Sequence, residues 1–226
     1  MKAKFGMIVT EGRGKIGGHV ASRNRSGAYF RTKVSPVNPS TSAQVLARLT
    51  LSNFSTSWRT LSQAERDAWN AAVGDFASTD IFGDLRNPTG KNLYTKLNVN
   101  LVNIGAAPIS TPPLLSDTAP HAASGLSIAV GASEFDLSFT GSDAGFTLLI
   151  EATDGLSAGI GFFKNRYRVI GTVAGNAASP ADLWAEYVAK FGEPVAGMKV
   201  AVRIVPINNT TGQQFQPSFV SAIVAA

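Results

Sequence analysis

The second half of the sequence alternates apolar and polar residues between evenly spaced turn residues, and this pattern restricts the fold more than any other. It begins with SGLSIAVGASEFDLSFTGSDAGFTLLIEATDG, in which Gly, Asp and Ser recur about every ten residues, and continues to the last residues of the chain. Short strands separated by regular turns are typical of an antiparallel β-sandwich. The pattern predicts a sandwich over residues 121–226. SPADLWAEYVAKFG predicts a helix inserted into it, with Trp184, Tyr187 and Phe191 on its packing face.

The first half has helical signals that end at a proline-rich stretch. Residues 106–120, AAPISTPPLLSDTAP, contain four prolines and predict a linker. Before it, TSAQ (41–44) and SQAE (62–65) have the spacing of capping boxes and predict two helix starts. Leucines spaced by four predict a third helix from about Thr89 to Ile104. We expect residues 41–105 to form a small helical region that packs on itself, on the sandwich or on another subunit, and an α+β fold overall.

Residues 1–40 read as a basic arm rich in Gly and Arg. The first 50 residues hold nine Lys or Arg and one acid, a net charge of +8, whereas the other 176 residues have a net charge of −3. A basic arm on a mildly acidic body predicts a negative partner, either nucleic acid or the acidic face of a protein. Turn chemistry at residues 24–27 predicts a hairpin. The cations that we expect to bind the partner are Arg23, Arg25, Arg31 and Lys33.

GRGKIG, residues 12–17, has the spacing of a dinucleotide-binding loop, and the strand-like run of residues 5–9 precedes it. The residues that follow lack helical spacing, and the next acid after Glu11 is Glu65, far beyond the position that would hold a ribose. We interpret the glycines as backbone that turns sharply or runs close to a neighbour. The residues expected to shape the arm for partner binding are Gly17, Gly18, Pro36 and Pro39.

Residue types that carry catalysis are sparse. The chain has no cysteine and two histidines, His19 and His121, which we expect to be surface polar residues. The acids Glu134, Asp136 and Glu151 are interpreted as solvated side chains. No apolar run approaches the ~20 residues that span a bilayer, and the N-terminal apolar stretch is too short for a signal peptide. We expect no cofactor, metal or membrane contact, and synthesis in a cytoplasm.

The first hundred residues resemble the N-terminal module of a group of tailed-bacteriophage and prophage virion structural proteins. The resemblance is carried by GKIGG at 14–18, by P-x-N-P-x-T-x-x-Q at 36–44 and by R-x-x-W at 66–69, with Arg31, Arg48, Trp58 and Leu61-Ser62 between them. The second half is similar to fibronectin type III and immunoglobulin-like domains, with Asn208–Gly212 as the loop between the last two strands.

The resemblance implies a non-enzymatic structural protein of the virion, assembled in the host cytoplasm. Its place would be a capsid decoration, a head–tail connector or a tail ring, and its partners would be other virion proteins and further copies of itself. Two alternatives stay open: a nucleic-acid-binding protein that uses the basic arm, and an enzyme, for example a sugar-active one, that carries the sandwich as an accessory domain.

Overall fold

The computed structural model describes residues 12–35, 37–79, 82–115 and 121–226, and the chain divides into two units, residues 1–46 and 47–226. The fold class is α+β, as predicted: the described residues form helices together with antiparallel sheets. None of these helices is long and apolar enough to cross a lipid bilayer.

The first unit contains a three-stranded antiparallel sheet in the order β1-β2-β3. The strands are β1 (Gly14–Ile16), β2 (His19–Asn24) and β3 (Gly27–Thr32). The predicted hairpin is confirmed as β2–β3, whose two-residue loop is stabilised by the Ser26 amide donating to Asn24 Oδ1 at 2.9 Å. The sequence did not predict β1, because three residues are too few for an alternation to be visible.

The second unit begins with a helical region, and most of helix α1 belongs to it. The elements in chain order are α1 (Ser42–Thr60), α2 (Gln63–Ala71), a 3-10 turn (Ala72–Gly74), β4 (Ser78–Thr79), β5 (Leu85–Arg86) and α3 (Gly90–Asn103). The expected caps are present: Thr41 Oγ1 accepts from the Gln44 amide, and Ser62 and Glu65 form a full capping box. The segment between α2 and α3 contains the small β4–β5 hairpin.

The core of the helical region is an aromatic cluster around Tyr94 of α3. Its ring centroid lies 5.4 Å from Trp69, 5.6 Å from Trp58 and 6.1 Å from Phe54. Trp58 and Trp69 are therefore core residues of the helical region, and Trp69 is fully buried.

The first residues of the proline-rich stretch are fixed to this core. Asn98 is fully buried; its Nδ2 donates to the carbonyls of Tyr94 and Ile109, and its Oδ1 accepts from the Ile109 amide at 2.7 Å. One residue further, the Ser110 carbonyl accepts from Trp69 Nε1 at 2.6 Å. The expected linker thus starts as an ordered strap across α3, since its backbone polar groups are satisfied by buried side chains.

Residues 121–226 form two antiparallel sheets with a shared core. One sheet has the order β10-β7-β6 and the other the order β12-β11-β8-β9. The strands are β6 (Ala122–Ala129), β7 (Glu134–Thr140), β8 (Phe146–Ala152), β9 (Arg168–Ala174), β10 (Ala181–Asp182), β11 (Lys199–Asn208) and β12 (Ser218–Ile223). Alternate residues of both sheets enter one cluster, among them Phe135 and Leu137 of β7, Ile150 of β8 and Val202 of β11.

The predicted inserted helix is confirmed as α4 (Trp184–Phe191), which lies between β10 and β11. Tyr187 stacks on Phe135 at a centroid distance of 4.7 Å, and its hydroxyl donates to the Thr153 carbonyl. Desolvation raises the pKa of Tyr187 to about 12, so the phenol stays protonated and can donate at neutral pH. Trp184 and Phe191 pack against the same core.

The end of α3 packs on the outer face of the four-stranded sheet. Ile104 contacts a small cluster of Leu149, Val205 and Ile207. Nearby, Asn100 Nδ2 donates to the Gly212 carbonyl at 2.9 Å, and Gly212 has a φ of +68° and no room for a side chain. The sequence left three packing partners possible for the helices: one another, the sandwich or another subunit. The described residues show the first two, since the helices pack on one another and α3 packs on the four-stranded sheet.

Candidate functional site

The cations predicted to bind a partner are exposed, but they do not form a single patch. Residues that are direct cross-strand partners share a face of a sheet. Arg31 is paired with Val20, which is also paired with Lys15, so Arg31 and Lys15 lie on one face. Arg23 is paired with Ala28 and lies on the opposite face, Arg25 is in the β2–β3 loop and Lys33 follows β3. The arm is therefore basic on both faces.

The glycines predicted to shape the arm form its first turn. Gly17 and Gly18 are the two-residue loop between β1 and β2, and Gly17 has a φ of +55°, which other residues adopt at a cost. Strand β2 follows directly, so the helix that a dinucleotide-binding loop requires is replaced by a strand. Pro39 is exposed in an irregular stretch, whereas Pro36 and residues 5–9 lie outside the described residues.

The arm has almost no core of its own. Among residues 12–35 and 37–46, Ala21 alone is buried, with 2% of its surface exposed. Large apolar side chains in the same ranges, such as Ile16, Val34 and Val37, are exposed. A three-stranded sheet normally needs an apolar face packed on something else to be stable. The arm therefore presents apolar surface and charge outward.

A concave surface lies on the outer face of the four-stranded sheet, away from the contact with α3. It is a cavity of about 460 Å³, which we call the aromatic groove. Its walls are the loop between β8 and β9 and the outer side of β12, and its lining residues are Gly161, Phe162, Phe163, Lys164, Tyr167, Arg203, Phe219, Val220 and Ser221.

The aromatic groove is held by ring contacts, with an ion pair beneath them. The Tyr167 ring lies 5.9 Å from Phe163 and 6.2 Å from Phe219, and the Arg203 guanidinium lies 5.1 Å from its centroid. Arg203 also forms an ion pair with Glu151 of β8, below the surface. Glu151 offsets the charge of Arg203, so Lys164 supplies the net positive charge of the lining, and the groove suits an apolar or aromatic group.

Burial raises the pKa of Tyr167, so its phenol is neutral at neutral pH. The ring contacts and the covered ion pair give the groove a preformed shape. We find no adjacent nucleophile and base among its lining residues. The arrangement can bind a group by packing and charge.

The outer side of the β10-β7-β6 sheet is acidic. Asp136 of β7 is a direct cross-strand neighbour of Asp182 of β10, and Glu134 lies on the same strand. Partial desolvation, and then the charges of Glu134 and Asp182, raise the pKa of Asp136. Like charges placed directly opposite each other are destabilising. The interpretation of Asp136 as an ordinary solvated acid is therefore incomplete.

The expectation of surface histidines holds for His19 and is wrong for His121. His121 is buried, and its Nε2 lies 2.8 Å from the Gly175 carbonyl. It precedes β6 and fixes the start of this strand to the turn after β9. Within the described ranges, no group of three or more His, Cys, Asp or Glu side chains is arranged to hold a metal ion.

Comparisons of the chain with protein-family models, with curated proteins and with solved structures found no match.

The aromatic groove was not found from the sequence, although part of its signal is visible there. The run GFFKNRYR, residues 161–168, interleaves rings with cations. The other wall comes from β12, about fifty residues later, and the alternation of that strand does not show which face remains uncovered. The position of α3 decides this, because it covers only one end of the outer face.

Proposed function

We propose that this chain is a non-enzymatic structural protein of a tailed-phage particle, present in many copies, that docks on neighbouring subunits through its N-terminal arm. The observation that carries the proposal is how little the described part of the arm buries: among residues 12–35 and 37–40, one alanine is fully buried, in a three-stranded sheet that exposes cations and apolar side chains. The motifs at residues 14–18 and 36–44, which resemble those of virion proteins, lie in or beside this arm.

The energetics of the arm favour a partner. Ordering the backbone costs roughly 1–2 kcal/mol per residue, whereas the described part of the arm fully buries one alanine side chain, which returns at most about 1 kcal/mol, and buries Tyr29 and Phe30 only in part. Backbone hydrogen bonds within three short strands add only about 0.5–1.5 kcal/mol each. An isolated arm would therefore exchange between ordered and unfolded forms, and a partner surface would supply the missing apolar burial.

The chemistry of the arm indicates what such a partner offers. Strands β1 and β3 are the two edges of the sheet, and an open edge can accept a further strand from a neighbour. Exposed arginines such as Arg25 and Arg31 can form bidentate pairs with carboxylates. A protein neighbour with an acidic face and a strand at its surface would satisfy both features.

We also propose that residues 121–226 are a fibronectin type III or immunoglobulin-like domain. The support is the arrangement of three and four antiparallel strands over one core, with the chain crossing between the sheets after β7, β9 and β10. Helix α4 between β10 and β11 is an addition to that pattern. In a capsid decoration, a connector or a tail ring, this domain would face outward or pack around the assembly.

Hydrogen exchange on the purified full chain tests the role of the arm. In dilute monomer we expect the amides of residues 19–32 to exchange within seconds, while those of β8 and β11 stay protected. In an oligomer or a complex with particle proteins, the arm amides should slow by at least tenfold. Full protection of the arm in the monomer would show that it is stable alone and would remove the reason for a partner.

A nucleic-acid-binding role is the second candidate, because the cations on both faces of the arm are exposed. It predicts retention of DNA that weakens steeply as salt rises. The variant R23E/R25E/R31E/K33E should abolish that retention, and a control with four charge reversals in the body, K96E/K164E/R166E/K190E, should leave it in place. The wild-type protein is first treated with nuclease to remove any bound DNA. If it then binds no added DNA at low salt, the nucleic-acid-binding role is excluded and the structural role stands.

A further inference from the structure

One face of the sheet in the arm carries three exposed cations. Lys15 of β1 and Arg31 of β3 are both cross-strand partners of Val20, so they share its face of the sheet. Lys33 lies two residues beyond Arg31, and its amide donates to the Gly18 carbonyl at 2.8 Å, which extends the β2–β3 pairing to this residue and places it on the same face. The described residues of the arm include no acid that could offset these charges. We call Lys15, Arg31 and Lys33 the cationic face.

The outer side of the β10-β7-β6 sheet carries three acids. Asp136 of β7 lies directly opposite Asp182 of β10, and Glu134 lies two residues before Asp136 on the same side of β7. The three strands contain no Lys or Arg. Among the residues that the structure describes, none forms an ion pair with these acids. We call Glu134, Asp136 and Asp182 the acidic face.

The acidic face is unfavourable in a chain without a partner. Asp136 and Asp182 are like charges placed directly opposite each other, an arrangement that destabilises a sheet. A cationic surface that approaches this side of the sheet removes the repulsion. The aromatic groove and the groove between α1 and α3 are unsuitable for the arm, because their lining includes the cations Lys164 and, in the second groove, Lys91 and Lys96.

The cationic face and the acidic face match in spacing as well as in sign. Side chains at positions i and i+2 of a strand lie on one face, roughly 6.5–7 Å apart. Arg31 and Lys33 have this separation, and so do Glu134 and Asp136. A strand of the arm that lies along β7 therefore places two cations beside two carboxylates at once.

We propose that the cationic face of one copy docks on the acidic face of a second copy. Arg31 and Lys33 lie along β7 of that copy. Lys15 reaches toward Asp182 on the neighbouring strand. The inference rests on the docking role proposed for the arm, and it names the surface that the arm binds. The contact joins two different surfaces of the chain, so repeating it from copy to copy builds a closed ring or an open row of copies.

Cross-linking between copies of different isotopic mass locates the contact. Equal amounts of isotope-labelled and unlabelled full-length chain are mixed at low salt and treated with a carbodiimide, which joins a lysine amine directly to a carboxylate that it touches. We expect links from the lysines of the cationic face to the carboxylates of the acidic face, and links between the two isotopes should be as frequent as links within one. Links found only within one isotope would show that the arm folds onto its own chain, and links from the arm to other carboxylates alone would place its partner elsewhere. Either result overturns the proposal.

Neutralising the acidic face tests its contribution to assembly. The wild-type chain should self-associate in sedimentation experiments at low salt, and high salt should weaken the association by screening. D136N/D182N should weaken it about tenfold, since two interfacial charge pairs are lost. The control D75N/D143N removes the same charge from two exposed acids outside this face, and it should change the association less than about twofold. D182N keeps the side-chain oxygen that accepts from the Trp184 amide, so the start of α4 is retained.

Reversing the cationic face separates this inference from the proposed function. R31E/K33E should weaken the association by at least as much as D136N/D182N does. If R31E/K33E weakens it and D136N/D182N does not, the arm docks on another surface, so the inference fails and the proposed docking role stands. If neither variant weakens it, assembly does not use the arm and both fail. A wild-type chain that stays monomeric at low salt, or one whose association the control variant weakens equally, overturns the inference alone.

Discussion

Asn98 joins the proline-rich stretch to the helical core, and replacing it by alanine should loosen this stretch while the chain stays folded. The side chain is fully buried and makes three hydrogen bonds, two of them to the backbone of Ile109. Each bond contributes about 1 kcal/mol, and a buried partner left without one costs about 1–3 kcal/mol. Water can reach the half-buried Ile109 backbone after the change, so we expect a loss of about 2–4 kcal/mol.

Urea unfolding gives the global effect, and hydrogen exchange locates it. For a unit of this size, the loss corresponds to a fall in the unfolding midpoint of about 1 M urea. The Ile109 amide, which donates to Asn98 Oδ1, should exchange much faster in N98A, while β11 amides change only in proportion to global stability. N98D keeps an acceptor for Ile109 but turns a carboxylate toward two carbonyls, so it should be at least as destabilised at pH 7.

The control is Asn92→Ala on the same helix, where the side chain is exposed and the intrinsic helix preference changes in the same way. If N98A and N92A lose the same stability, or if Ile109 exchanges no faster in N98A, the hydrogen bonds of Asn98 do not hold the proline-rich stretch and the reasoning is wrong.

Three further changes have directions fixed by the structure. Gly212→Ala places a methyl 2.3 Å from the Leu97 carbonyl at a φ of +68°, so it should destabilise by at least about 2 kcal/mol in urea unfolding, whereas Gly212→Asn should fare no better because the clash remains. Hydrogen bonds from Ser62 lower the pKa of Glu65 below its ordinary value of 4.5. The cap therefore contributes stability at pH values above 4.5 and loses it as pH falls through the folded-state pKa. Ser62→Ala should lower the melting temperature at pH 7, and by less at pH 3. The pKa of Asp136 is raised above its ordinary value of 3.8, so its charged form opposes folding once pH exceeds the folded-state pKa. Asp136→Asn should therefore raise the melting temperature at pH 7. The gain should vanish below about pH 3.8.

Local signals in the sequence predicted the elements whose determinants are close together in the chain. The SQAE capping box started α2, and the leucines at every fourth position placed α3 within one residue of each end. The turn residues at 24–27 placed the β2–β3 hairpin. Caps, helical periodicity and two-residue turns act over three to seven residues, so all of the interacting groups lie within one short stretch of the sequence.

Features that depend on distant residues were missed or interpreted wrongly. His121 read as a surface residue because its partner, the Gly175 carbonyl, lies 54 positions away. The proline-rich composition of residues 106–120 indicated a linker, whereas buried side chains of α2 and α3 hold its first part. The predicted binding cations were found exposed, but the pairing register divides them between two faces of the arm.

The sequence by itself determined an α+β chain with a basic arm, capped helices and alternating strands, because charge, capping and periodicity are properties of neighbouring residues. Only the tertiary structure decided which surfaces remain uncovered. On the outer face of the four-stranded sheet, α3 covers Leu149 and Ile207 and leaves Phe219 exposed. The strands of the arm form a sheet, yet its described residues bury one alanine fully. The exposure of a residue depends on which elements pack against it, and those contacts join residues that are far apart in the chain.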